Sequence, residues 1–300
     1  MTLIPASIAS PEPRALFEIV PELAIGPSEM GWSKISQPMR CWRLAFLSSQ
    51  VGQRGPRKAL DIGLLTHKVL EWFYSGQRTE EEVLLILSLL KENEETREIA
   101  EVVHNLLWSP STSEGRKYCP DVINEDLKNW DILFVEKEAG FTLKPRNHPA
   151  WWGKLERVTT RFDLVRKLPD GGVGIVETKT AGALSNDLTK GYTMDGQLHT
   201  QVLVWKKSGL ERKYGPVREI LMNILVKTKT PQHYRAWVHV SDGDVREFWR
   251  ATKPWVEELY LRLARDKNKK SQWPKNYAAC QGRYGLCQFF NECEADGDRR

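Results

Sequence analysis

Arg161-Phe162-Asp163, followed after a short break by Ile175-Val176-Glu177-Thr178-Lys179-Thr180, is the pair of segments on which the reading of this chain turns. Both are apolar runs interrupted by acids. Side chains on a strand alternate faces with a period of two, so Glu177 and Lys179 point the same way. Leu168-Pro169-Asp170-Gly171-Gly172 between them has the composition of a tight connection, which predicts a β-hairpin bringing Asp163 close to Glu177. Two carboxylates and one ammonium on one sheet face suit a hard divalent cation with a charged donor beside it, the chemistry of phosphodiester hydrolysis. The competing reading is a solvated surface ion pair. Val173, Ile175 and Val176 weigh against it, because a strand of that composition is buried on both faces and uncompensated charge there is costly.

The rest of the chain sets the frame. Its 300 residues suffice for one large domain or a core with helical additions. No apolar run reaches the ~18 residues of a membrane span, so no membrane partner is expected. Met1 to Glu18 lacks the basic start and long apolar stretch of a signal peptide, which predicts a cytoplasmic protein. The net charge of +5 is compatible with nucleic acid without establishing it. Of the 12 tryptophans, most are expected in the core and a minority free to stack on bases. Five cysteines in an intracellular chain argue against a disulfide framework.

Periodicity predicts helices over residues 33–48, 59–75, 79–90 (opened by a Thr79/Glu82 capping box) and 94–108, with a loop over 109–115. Strands follow at 132–135, 141–143, 158–165 and 173–179, then a helix at 195–207. Strands at 220–227 and 233–240 and a long helix at 244–266, with Pro254 inside it, complete the pattern. The expected organisation is an arm with little order over 1–30, a helical region over 31–130, a core sheet over 131–245 and a cysteine-rich helical end over 246–300. Residues 31–293 would form one compact domain. The fold class is α/β (α+β), a mixed central sheet flanked by helices.

Two further sets of residues bear on the site. Gly63, His67 and Glu71 are spaced by four and share one helix stripe. His67 there offers a neutral nitrogen to a cation or is a hydrogen-bonded core imidazole, the commoner role for a lone helix histidine. Gln197 and Gln201 are four apart on the helix after the acid-bearing strand. They read either as an exposed polar stripe or as amides able to orient a phosphate or an attacking water.

Taken in order, these motifs resemble the PD-(D/E)xK nuclease superfamily, and within it the RecB-like branch. That branch has a Gly-x3-His-x3-Glu helix, an Asp ending a strand, an Asp/Glu-x-Lys strand and a Gln-x3-Tyr helix. Gly63/His67/Glu71, Asp163, Glu177/Lys179 and Gln201 match it, with Trp205 where the tyrosine would stand. The resemblance implies a restriction-endonuclease-like sheet and a Mg²⁺ or Mn²⁺ ion held by His67, Asp163, Glu177 and the Thr178 carbonyl. It also implies that Lys179 orients water or stabilises charge, that Gln201 or Gln197 positions the nucleophile or phosphate, and that Arg161 and Lys190 contact the DNA backbone.

The cysteines resemble those of the iron–sulfur subset of that branch, the AddB-type helicase–nucleases and CRISPR-adaptation nucleases. Cys41 in Ser36-Gln-Pro-Met-Arg-Cys-Trp-Arg and the tail Cys280-x6-Cys287-x5-Cys293 correspond to its four cluster ligands. Four thiolates suit a 4Fe–4S cluster or a tetrahedral zinc. Either ties residue 41 to residue 280, a closure whose stabilisation grows only logarithmically with loop length. Cys119, beside Pro120, reads as a bystander.

The implied activity is a metal-dependent deoxyribonuclease, an exonuclease on DNA ends or single strands. With no Gly-x4-Gly-Lys-Ser/Thr in the chain, a helicase would have to come from a partner protein. The setting expected is phage or mobile-element recombination or repair in a bacterial host. The alternative is a non-catalytic iron–sulfur or zinc DNA-binding or assembly subunit that retains the fold.

Overall fold

The computed structural model describes residues 15–24, 29–51, 57–111, 115–143, 156–185, 191–282 and 285–294. Lys190 lies outside them.

The sheet follows from the hairpin. Strands β1 (Asp131–Leu143), β2 (Glu156–Lys167), β3 (Val173–Ala181), β4 (Val217–Val226) and β5 (Gln232–Val238) lie side by side in that order. The β3–β4 pair is parallel and the other neighbours are antiparallel. Pro169 presets the turn between β2 and β3, and Gly171 takes φ +82°, closed by Gly171 N–H donating to Leu168 O at 3.0 Å. A parallel neighbour requires a crossover, and helix α8 (Gly196–Lys207) lies in the connection from β3 to β4.

Alternation on β4 divides the core. Ile220, Met222, Ile224 and Val226 face one hydrophobic cluster, which includes Leu198, Val202 and Trp205 of α8 and Val245, Val256 and Leu259 of the long helix α9 (Asp242–Arg265). On the other face Leu221 packs with Leu164 and Val176. Leu225 joins the cluster of helices α4 (Arg57–Ser75), α5 (Glu80–Glu92) and α6 (Arg97–Trp108). The central strands are therefore apolar on both sides, which explains the near-continuous runs in β3 and β4. The described residues thus form a mixed five-stranded sheet flanked by helices.

The structure corrects the sequence reading in four places. The helix expected over 33–48 is two, α2 (Trp32–Arg40) and α3 (Trp42–Val51), broken at Cys41, whose backbone is extended. The break docks the chain on the carboxyl-terminal segment: Arg43 N–H donates to Pro274 O at 3.1 Å and Arg43 Nε to Trp273 O at 2.8 Å. The strands expected at 132–135 and 141–143 are one strand, β1, carried through a backbone irregularity at Glu136 with φ +48°. Within the arm expected over 1–30, residues 15–24 are ordered, because Leu16, Val20 and Leu23 bury against the α4–α6 cluster. Finally, Ile123–Asn129, for which periodicity gives no helix, forms helix α7. No helix among the described residues is long and apolar enough to cross a membrane. Trp72, Trp205 and Trp273 are fully buried, while Trp237 is exposed.

Candidate active site at the fork between strands β2 and β3

The β2–β3 ladder covers Leu164–Lys167 against Val173–Val176 and stops there. Past Leu164, β2 continues with β1 alone, so Asp163 and Glu177 stand at a fork in the sheet. Asp163 remains tied to β3 by the Thr178 N–H, which donates to Asp163 Oδ2 at 2.8 Å.

Helices enter the fork from both sides. From α8 come the two glutamines. Asp195 caps that helix through Gln197 N–H at 2.6 Å, which places Gln197 in the first turn and Gln201 one turn on. Gln197 Nε2 donates to Glu177 Oε1 and Gln201 Nε2 to Glu177 Oε2, at 2.5 and 2.6 Å. Lys179 Nζ donates to Glu177 Oε1 at 2.5 Å and to Gln197 Oε1 at 2.8 Å. Both glutamines therefore meet the same carboxylate. The helix start needs Gly196, since a Cβ there would lie 2.1 Å from the Trp32 ring of α2.

From α4 comes His67. Its Nδ1 is 3.5 Å from Asp163 Oδ2 and 3.5 Å from Glu136 Oε1. One ligand atom from each of His67, Glu136 and Asp163 lies within 4.8 Å of the other two. Glu136 was not singled out by the sequence reading. It falls between the Val135–Leu164 and Lys137–Phe162 pairs, level with Asp163. The signal in hindsight is an acid in the middle of an otherwise continuous strand, directly across from a motif acid.

The electrostatics follow from burial against charge. Burial raises the Glu177 pKa and the nearby Asp163 carboxylate adds to it; together they outweigh Lys179 and Gln201. Asp163 is likewise raised, by burial and by Glu136, against the opposing pull of His67, Lys179 and the Thr178 N–H. Burial alone would lower His67, but Asp163, Glu136 and Glu177 reverse this and raise it to about 9. Lys179 is raised in the same way by Glu177 and Asp163, so it holds its proton at neutral pH. In that state it is a charged hydrogen-bond donor beside Glu177.

Other candidates are distributed as follows. Arg161 lies 3.7 Å from Glu138 through its guanidinium, and its carbonyl accepts from Gln201 Nε2 at 3.4 Å. Glu71 pairs with Lys68 at 2.6 Å. Trp205 is core: its ring meets Phe162, Phe134 and Tyr214, and its Nε1 donates to Gly215 O at 2.9 Å. The Thr178 hydroxyl accepts from Asn223 Nδ2 at 3.3 Å on the opposite face of the sheet.

The cysteines gather at a second place. Cys41 Sγ accepts from Asn276 N–H at 3.3 Å. Cys280 Sγ lies 3.7 Å from Asn276 O, and Cys287 N–H donates to Cys280 O at 2.8 Å. Burial raises the Cys293 thiol, and the neighbouring Cys41 and Cys287 add to it, against Lys275 and Arg43. Cys119 is buried in the α4–α6 cluster, which keeps its thiol well above the usual range.

Residues 30–294 match the model of the PD-(D/E)XK nuclease superfamily. No curated protein sequence matches the chain. Among solved structures, a Eubacterium rectale protein described as a candidate exonuclease is similar at a TM-score of 0.51. The identity is 12%, over 97% of this chain and 93% of that one, a likeness of fold. The structure of SSO0001 matches at a TM-score of 0.28 and 11% identity, over 71% of this chain and 84% of that one.

Proposed function

The chain belongs to the PD-(D/E)XK nuclease superfamily, and from that premise we propose that it is a divalent-metal-dependent deoxyribonuclease of the RecB-like branch, acting as an exonuclease on DNA ends or single strands. The observation that carries this is the convergence of His67, Asp163, Glu177, Lys179, Gln197 and Gln201 at one fork of the sheet.

The donor set fits Mg²⁺ or Mn²⁺: an imidazole and carboxylates, hard or borderline ligands at a half-buried opening. His67, Asp163 and Glu177, with the Thr178 carbonyl, would hold the ion. Such an ion polarises a phosphate and lowers the pKa of a bound water. The chain's own groups do the rest. Lys179, kept charged by its two carboxylate neighbours, donates to the attacking water or to the phosphoryl oxygens on which negative charge develops. Gln197 and Gln201 fix the Glu177 carboxylate and thereby the ammonium. Arg161 and Lys190 contribute sequence-independent backbone contacts, which should make binding salt-sensitive.

The same reading assigns Cys41, Cys280, Cys287 and Cys293 to a 4Fe–4S cluster that ties α2 and α3 to the carboxyl-terminal segment. Support comes from the Asn276 N–H directed at the Cys41 sulfur, a contact that also tunes such clusters. A tetrahedral zinc on the same four thiolates is the alternative.

The test is anaerobic purification, iron and sulfide analysis, then digestion of end-labelled linear and circular DNA in single- and double-stranded form with Mg²⁺ or Mn²⁺. Mononucleotide release from linear DNA and none from circles is the expected result. Cleavage of circles would make the enzyme an endonuclease, and no cleavage of any substrate would sink the proposal.

A further inference from the structure

We propose that Glu136 is an additional ligand of the catalytic divalent cation, supplied by β1 rather than by the motif strands. This rests on the nuclease reading above and extends it to a residue that lies outside the motifs.

Three observations carry the inference. The first is where the ligand atoms lie. His67 Nδ1 is equidistant, at 3.5 Å, from Glu136 Oε1 and Asp163 Oδ2, and the three atoms together span no more than 4.8 Å. Bonds of about 2.0–2.1 Å from one ion put adjacent octahedral ligands about 3 Å apart, so small side-chain adjustments bring the set onto one cation.

The second is the state of Glu177, the acid that the motif would assign to the ion. Its side chain is 0% exposed, Oε1 already accepts from Lys179 and Gln197, and Oε2 accepts from Gln201. A cation reaching Glu177 must compete with an ammonium and two amides. His67, Glu136 and Asp163 are 28%, 17% and 14% exposed, so theirs is the side more open to solvent. The third is charge. A divalent ion among hard oxygen ligands is held more tightly as carboxylates are added, and Glu136 supplies a second one at the open side.

The proposal therefore divides the two acids by task. Glu136 with Asp163 and His67 grips the ion from the open side. Glu177 holds Lys179 and the glutamines in register and is the ion's ligand from the buried side.

Mn²⁺ binding, followed by loss of the free-ion EPR signal, tests this without any substrate. Wild type, Glu136→Gln, Glu136→Asp, Asp163→Asn and, as a control on the same sheet, Glu219→Gln are compared at one pH. Their folding is checked by circular dichroism. Glu136→Gln should weaken Mn²⁺ binding at least tenfold, approaching Asp163→Asn, and Glu219→Gln should bind as wild type does. Glu136→Asp keeps the charge on a shorter arm and should fall between. It serves as the readout if the amide variant does not fold. If Asp163→Asn loses the ion while both Glu136 variants bind like wild type, Glu136 is only an ion-pair partner of His67 and the nuclease reading stands. If wild type itself binds no Mn²⁺, the inference and the reading beneath it both fall.

Discussion

Replacing Lys179 should destabilise the protein in a strongly pH-dependent way, whereas replacing its partner should not. Glu177 is 0% exposed and Lys179 is 30% exposed, so the pair is asymmetric. Remove Glu177, as Glu177→Gln, and the ammonium turns to water at little cost. Remove the ammonium, as Lys179→Met, and a buried carboxylate is left with two amide donors and no counter-charge. Its escape is to take up a proton. For an acid of ordinary pKa about 4.3, that costs about 1.4 kcal/mol per pH unit, hence about 5 kcal/mol at pH 8 and about 1 kcal/mol at pH 5. Those figures are ceilings. The sign follows from linkage: losing Lys179 raises the folded-state pKa of Glu177 further, and a raised pKa contributes stability that disappears as pH climbs. The Lys179→Met deficit should thus reach about 3–5 kcal/mol at pH 8 and shrink to about 1 kcal/mol or less at pH 5. Glu177→Gln should cost under about 1 kcal/mol at both. Urea unfolding in EDTA at the two pH values measures all of this. A Lys179→Met deficit independent of pH, or below that of Glu177→Gln at pH 8, would refute the reasoning.

Other consequences are equally open to measurement. In EDTA, His67 contributes stability fully below pH 6.5 and loses it as pH rises through about 9, a change of at most about 3 kcal/mol. His67→Gln should flatten that part of the stability profile, which a pH series of thermal melts will read. Asn223 is buried and donates to the Tyr118 hydroxyl at 2.6 Å and to the Thr178 hydroxyl at 3.3 Å, beneath the peptide N–H that holds Asp163. Asn223→Leu should cost about 1–3 kcal/mol in chemical denaturation and raise the Mn²⁺ concentration needed for half-maximal cleavage. Gly196→Ala drives a methyl into the Trp32 ring and should cost about 1–3 kcal/mol, with cleavage reduced because Gln197 moves with the helix start. Trp205→Ala should cost about 3–5 kcal/mol, as expected of a fully buried ring packed on Phe162 and not of a ligand-binding residue.

What the sequence made legible was local and periodic. The turn chemistry at Pro169–Gly171 and the flanking alternation set the β2–β3 hairpin, and the Thr79/Glu82 box opens its helix as expected. Asp195 ahead of Gln197 starts α8 where periodicity places it. The illegible parts depend on tertiary contacts. Cys41 breaks a helix whose pattern is continuous, because Arg43 and the Cys41 sulfur bond to the segment around 273–276. Glu136 carries no turn-forming signature, and an ordinary acid in an apolar strand gives no hint of a positive φ. The choice between Gln197 and Gln201 had no answer in sequence, since Glu177 has two oxygens and takes one amide at each. The Gln-x3-Tyr motif misleads at its second position, where Trp205 fills the core.

The central claim is tested most directly by Mn²⁺-dependent cleavage of end-labelled DNA with wild type, Lys179→Met and Asp163→Asn, each shown folded at the assay pH. The account predicts rapid metal-dependent digestion by wild type, abolished by EDTA and reduced by at least about a thousandfold in both variants, in the range of losing one key electrostatic group. Digestion by folded Lys179→Met or Asp163→Asn at the wild-type rate would contradict it.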